Sequence, residues 1–309
     1  MPLIWRSSSW LKASHPRRSK VGSVANQALT VCGVVTYDGT DYHGFQYQVG
    51  VPTIQGELEN ALHRFSQPLG RVAGAGRTDA GVHACGQVVS VQLNWRHSLE
   101  KLQSAWNAHL PPSITVRGVK VAPAGFHPRF SALHRTYCYS VIEGNRATLG
   151  RSPLTDRFAL YVTQKLDLEA MQAAAALMVG EHDFATFGHA THGESTVRRL
   201  ISADWQVVTE SLPCLEDEPT RRLVFTVTAN GFLRNMVRCF VGTFLAVGRG
   251  EWSLTAVADA LAARDRSRSA PPAPPQGLLL VQVVYPDHLD PWGSGVSGFE
   301  DDRQVSSYG

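Results

Sequence analysis

This chain of 309 residues lacks a cysteine pair, a phosphate-binding glycine loop and a long apolar run, and each absence removes a class of protein. Its five cysteines, Cys32, Cys85, Cys138, Cys214 and Cys239, are odd in number and show no C-x-x-C spacing. That argues against a disulfide framework or a cysteine-rich zinc site, and suits buried thiols in a reducing compartment. No stretch approaches the ~18 apolar residues of a membrane span; even residues 232–247 are interrupted by Arg234, Asn235 and Arg238. Neither G-x-x-x-x-G-K-S/T nor a strand-placed G-x-G-x-x-G occurs, so nucleotide-phosphate cradles are not indicated. Acidic residues are absent from positions 1–27, which hold five basic ones, whereas 287–309 hold five acids and one arginine. The body between them is close to neutral, so any nucleic-acid footprint there must be a local patch. The basic, serine-rich start lacks the apolar core of a secretory signal. It reads as a transit peptide, an RNA-binding arm or, preferred here, an unstructured extension over 1–27; residues 287–309 read as a disordered tail.

What is present is an ordinary globular composition, 43% apolar and 18% charged, long enough for two domains. Hydrophobic periodicity predicts a strand over 29–37, a helix over 53–66, strands near Val72 and over 87–93, a helix over 98–109 and a strand over 114–121. Further on it predicts a strand over 136–142, an Asp167-capped helix ending at Gly180, strands over 200–208 and 223–229, helices over 232–247 and 253–264, and a strand over 278–285. The order β-α-β-β-α-β occurs twice, with one extra helix in the second copy. The expected fold is α+β: two ferredoxin-like, split β-α-β halves over 28–130 and 131–286, sharing a mainly antiparallel sheet with a central cleft for the site. The proline-rich run 270–275 reads as a stiff connector, and Arg264, Arg266 and Arg268 before it as phosphate contacts or a solvated helix end.

The richest local chemistry is Gly76-Arg77-Thr78-Asp79-Ala80-Gly81-Val82-His83-Ala84, between two predicted strands. A hairpin turn needs less than a cation, a hydroxyl, a carboxylate and an imidazole. Asp79 either carries chemistry or only bonds loop amides, as turn aspartates do. The helix over 232–247 is apolar around nearly its whole circumference and should be buried, which puts Arg234 and Arg238, four apart, on one face. A guanidinium there keeps its proton and must find an acceptor. Asp79 is one candidate; Glu57, Glu59, backbone carbonyls or solvent are others. In the strand at 135–139, Tyr137 and Tyr139 are expected on one face and Arg135 on the other; paired aromatics there are either core or a base-stacking surface. Phe126-His127-Pro128-Arg129-Phe130-Ser131 mixes aromatic and basic residues as an RNA contact would, or as a packed linker would. His182, His189 and His192 surround Asp183, but not at the spacing of a zinc site, and read as loop or core histidines.

Taken together, these segments resemble the TruA family of bacterial tRNA pseudouridine synthases. Residues 76–84 look like the family's catalytic motif without departure, and Tyr37-Asp38-Gly39-Thr40-Asp41-Tyr42-His43-Gly44-Phe45-Gln46 like its N-terminal signature, with Phe45 where tryptophan is commoner. Residues 126–132, Arg135-Thr136-Tyr137, Met236-Val237-Arg238 and Gly277-Leu278 extend the likeness over about 28–286. The resemblance implies isomerisation of uridine to pseudouridine at positions 38, 39 and 40 of the tRNA anticodon stem-loop, by a cytoplasmic homodimer with no cofactor, metal or membrane. It makes Asp79 the nucleophile, paired with Arg238; Tyr137 packs on the target base and Leu278 lines the pocket. Arg77 holds RNA, and Arg129 and Arg234 are further RNA-binding candidates. The rival reading is a non-catalytic protein with tandem RRM-like domains, which would show an aromatic RNP1-type strand; none is found. An N-glycosidase is a third reading. A glycoside hydrolase would want a second carboxylate beside Asp79, and none is evident.

Overall fold

The computed structural model describes residues 28–144, 155–190, 193–208 and 221–293. The chain begins with β1 (Ala28–Tyr37), α1 (Ile54–His63), the two-residue strands β2 (Gln67–Pro68) and β3 (Ala73–Gly74), β4 (His83–Asn94), α2 (Leu99–His109) and β5 (Ile114–Val121). It continues with β6 (His134–Glu143), β7 (Leu160–Val162), α3 (Leu168–Ala176), β8 (Gly180–Asp183), β9 (Val197–Val208) and β10 (Arg221–Ala229). Two helices, α4 (Met236–Gly248) and α5 (Leu254–Ala263), precede the last strand, β11 (Leu278–Val284).

All the strands belong to one mixed sheet in the order β5-β1-β4-β11-β6-β10-β9-β8, with β2 and β3 beside β4 and β7 beside β6. Its pairs are antiparallel except β4–β11 and β6–β7. Helices start where a side chain satisfies a free amide: Thr53, Ser98, Asp167 and Ser253 each accept from the backbone N–H three residues on. The apolar faces of the helices and the sheet form one core, in which Ile54, Leu58, Leu93 and Trp106 join Tyr139, Phe225, Phe240 and Phe244. Each phenylalanine there contributes about 1.5–3 kcal/mol by leaving water. Among the described residues no helix is long and apolar enough to cross a membrane.

Several elements depart from the sequence expectations. The helix expected from 232 starts at Met236, because Asn235 takes the left-handed conformation (φ 64°) and breaks the turn before it. The helix expected to reach Gly180 stops at Ala176, and Gly180 opens β8, which takes up His182 and Asp183. Arg135 shares the buried face of Tyr137 and Tyr139, contrary to the expectation, since strict alternation puts positions two apart on one side. Residues 287–293, assigned by the sequence to a disordered tail, are ordered against the sheet: Asp287–Leu289 form a 3-10 turn and the Trp292 indole N–H donates to Gly118 O at 2.6 Å. Residues 1–27 and 294–309, with their expected disorder, lie outside the described residues.

The seam between β4 and β11 positions everything that follows. β11 pairs with β4 only at Leu279–His83 and Leu280–Ala84, and a bulge at Val281 interrupts its ladder with β6. The bulged backbone crosses directly over Gly86, where a Cβ would lie 1.9 Å from the Val281 carbonyl oxygen. Gly86→Ala must therefore push the seam apart and is expected to cost about 2 kcal/mol or more. Gly70→Ala, with nothing within 4 Å, should leave the melting temperature nearly unchanged. Thermal denaturation of the two variants checks this.

Candidate active site

The segment 76–82 leads into β4 and is fixed at both ends by polar groups beneath it. Gln87, fully buried on β4, grips Gly76 twice, accepting from its N–H at 3.1 Å and donating to its carbonyl at 2.8 Å. The Thr78 hydroxyl meets the buried Tyr37 hydroxyl at 2.7 Å. Residues 37–45 wrap the far side: Phe45 N–H donates to Thr78 O at 3.0 Å and Gly81 N–H to Tyr42 O at 3.3 Å. Gly39 is needed for this contact, since a Cβ there would sit 2.0 Å from Val82 O. His83 Nδ1 lies 3.1 Å from the Gly39 amide and 3.2 Å from Asp38 Oδ1, and burial holds the His83 pKa below the usual histidine range although Asp38 pulls it up. Arg157 closes the outside, reaching Asp38 at 2.8 Å and Asp41 at 3.0 Å, while Phe158 packs on the His83 ring at 4.9 Å.

Asp79 emerges from this frame with about a fifth of its side chain exposed, facing two cations. Arg238 Nη1 lies 3.6 Å from Oδ2 and Arg234 Nε lies 3.9 Å from Oδ1. The two arginines converge for different reasons. Arg238 projects from the first turn of α4, its Nε donating to Ala273 O at 2.7 Å and its Nη1 to Asn235 Oδ1 at 3.2 Å. Arg234 stands before the helix, in a bridge with His189 (N–H to O at 3.0 and 3.2 Å), and is mostly exposed. The i, i+4 argument for a shared helical face therefore fails, yet the convergence on Asp79 exists, because the Asn235 turn folds Arg234 back. Glu59, an alternative partner, is instead engaged by Arg71 at 2.9 Å. The proline-rich segment serves as more than a connector: Ala273 holds Arg238 and Pro274 O accepts from Tyr139 Oη at 2.7 Å.

Burial raises the Asp79 pKa above 3.8, and Arg238 first, then Arg234, pull it back. Tyr137 is buried beside the loop, edge-on to Phe232 at 5.1 Å, with its hydroxyl 3.5 Å from the space a Cβ on Gly76 would fill. Burial pushes its phenol up to about 12, so it stays neutral. The leucine beside Tyr137 is Leu280; Leu278 is also buried but lies opposite Tyr139, one step along the same face of β11. Arg77 is exposed and without a partner among the described residues. Arg129 sits on the 126–131 loop, paired with Glu194 at 2.8 Å. His189 lies in the Arg234 bridge, His192 falls outside the described residues, and among those described no group of three or more His, Cys, Asp or Glu is placed to hold a metal. Sequence reasoning missed Gln87, Asp38, Arg157 and the structural role of His83. Only Gly39, inside the quoted N-terminal segment, pointed toward a close backbone approach there.

Comparison with known proteins bears on the same residues. Residues 34–131 and 174–286 match a family described as "tRNA pseudouridine synthase". A relative from Chloroflexus aurantiacus named tRNA pseudouridine synthase A is 42% identical over 264 residues, covering 85% of this chain and 91% of the relative. Similarly named proteins from Syntrophomonas wolfei and Brevibacillus brevis are 39% and 40% identical, over 82% of this chain and 96% and 98% of their own lengths.

The Asp79 environment has a measurable consequence. Because the native-state pKa lies above the ordinary one, ionising Asp79 weakens the fold: that cost is absent below pH 3.8 and complete once pH has passed the native midpoint. A carboxylate-detected NMR titration should place the midpoint above 3.8. Arg238→Met should raise it further than Arg234→Met does.

Proposed function

The chain belongs to the tRNA pseudouridine synthase family, and we propose that it isomerises uridine to pseudouridine at positions 38, 39 and 40 of the tRNA anticodon stem-loop, with Asp79 as nucleophile. The observation that carries the assignment is the pairing of Asp79 with both Arg234 and Arg238, each of which meets no other carboxylate among the described residues. The reaction breaks the N1–C1′ bond, joins C5 to C1′ and moves one proton from C5 to N1. No atom is gained or lost, so the stoichiometry calls for no cofactor or metal. It does call for a group that holds the substrate while the uracil turns, which an ionised carboxylate does covalently. Guanidinium partners keep that carboxylate charged in a partly dry site, and being unable to deprotonate, they cannot abandon it.

The target must leave its stack at a cost of a few kcal/mol. Tyr137, braced by Phe232, supplies an aromatic surface for it, with Leu278 and Leu280 as the apolar wall behind. Arg77, exposed at the mouth, and Arg129 and Arg234 on the rim are suited to phosphates or to the place the base vacates. The architecture fits two ferredoxin-like halves, 28–130 and 131–286: with β2, β7 and β8 set aside as additions, the four remaining strands of each half lie in the order 4-1-3-2, as β5-β1-β4-β3 and as β11-β6-β10-β9. The working form on this reading is a cytoplasmic homodimer.

An anticodon-stem transcript incubated with the protein should yield pseudouridine, detected as carbodiimide adducts, and no free uracil. Asp79→Asn should abolish product while retaining RNA binding; product at the normal rate would remove Asp79 as nucleophile. Arg238→Met should lower kcat at least ~10-fold, the scale of losing one charge-assisted contact, whereas Arg249→Met, on an exposed pair with Glu251, should not.

A further inference from the structure

We infer that Phe130 is a stacking platform for an unpaired nucleobase of the RNA, separate from the uridine at Asp79; this rests on the tRNA reading above. Phe130 is 75% exposed, the second most exposed large apolar side chain among the described residues. Its ring is nonetheless held in place. His127 lies against it at 4.4 Å between centroids, tilted by 34°, and the Arg129 guanidinium sits 5.5 Å from its centre. The loop beneath is tightly bonded: His127 Nδ1 accepts from the Arg129 and Phe130 amides at 3.1 and 3.3 Å, and the Ser131 amide donates to His127 O at 3.0 Å. With Nδ1 accepting, His127 is a neutral ring, and burial together with Arg129 favours that form.

Arg135 couples this loop to the active site. Its buried guanidinium donates to Arg129 O, to Ala75 O at 3.1 Å and to Asn230 O at 3.0 Å. Those carbonyls belong to the Phe130 loop, to the entry of the Asp79 loop and to the segment leading to Arg234. Among the described residues Arg135 has no carboxylate partner, and Arg129 and Arg198 share Glu194. The rim around Phe130 is therefore net positive and rigidly joined to the reacting carboxylate. Positive charge with a flat aromatic surface fits a polyanion that carries π-faces, which is single-stranded nucleic acid. An apolar protein partner would not be matched to those cations.

The test compares tRNA binding by wild type, Phe130→Ala and Phe130→Trp, together with melting temperature, oligomeric mass and pseudouridine yield. Phe130→Ala should weaken binding about 5- to 100-fold, with an unchanged melting temperature and an unchanged slope of log K against log salt, since no phosphate contact is lost. Phe130→Trp should restore affinity. Wild-type affinity in Phe130→Ala, or a lower oligomeric mass in that variant, would overturn the platform while leaving the enzyme assignment intact. Wild-type protein that makes no pseudouridine and binds no tRNA would instead overturn the family-based activity, and this inference with it.

Discussion

The molecule is organised around keeping one carboxylate charged while water is largely withdrawn from it. Burial alone would leave Asp79 protonated more readily than a free aspartate. The opposing field comes from two guanidiniums that the fold must bring in from some 150 residues away in sequence, a separation read directly from the numbering. The long α4, its left-handed start at Asn235 and the proline-rich segment that grips Arg238 all serve that meeting. So does the polar frame beneath the loop, since a carboxylate displaced by an ångström loses most of the benefit of its partners.

That frame uses neutral groups. Gln87 holds the Gly76 backbone, the Tyr37 hydroxyl holds the Thr78 side chain, and His83 meets the Gly39 amide of the neighbouring segment. Asp38, Asp41 and Arg157 pair with one another on the 37–45 side, where Asp38 also meets His83. Electrostatics at Asp79 is thereby left to Arg234 and Arg238, while geometry is set by uncharged contacts that salt does not screen.

Regular periodicity made the long elements legible in the sequence: β5 runs over the expected residues, and α1, α2 and α5 begin one residue after their expected starts. What escaped follows from physics that a local pattern does not record. β7 and β8, at three and four residues, are too short to show alternation, and their pairing is decided by neighbours distant in sequence. β4 is buried on both faces through most of its length, so its extension back to His83 carries no alternating signature and hides inside the 76–84 segment. Asp79 and Tyr137 were legible because their segments are chemically unusual. The pairing of Arg238 with Asp79 was one option among several, and the assumed helical face was the wrong reason for it. Leu280, beside Tyr137, could not be told from Leu278, because both lie on one side of the same strand.

The position of β11 bears on how the protein comes into being. β11 is inserted between β4 and β6, two strands made far earlier, and among the described residues it is the only strand hydrogen-bonded to both. Until it arrives, the two parts of the sheet share no ladder among the described residues. Contacts of such long sequence separation form late, and a ribosome-bound chain that has not yet reached β11 carries Asp79 and Arg238 on parts of the chain whose sheet segments no ladder joins.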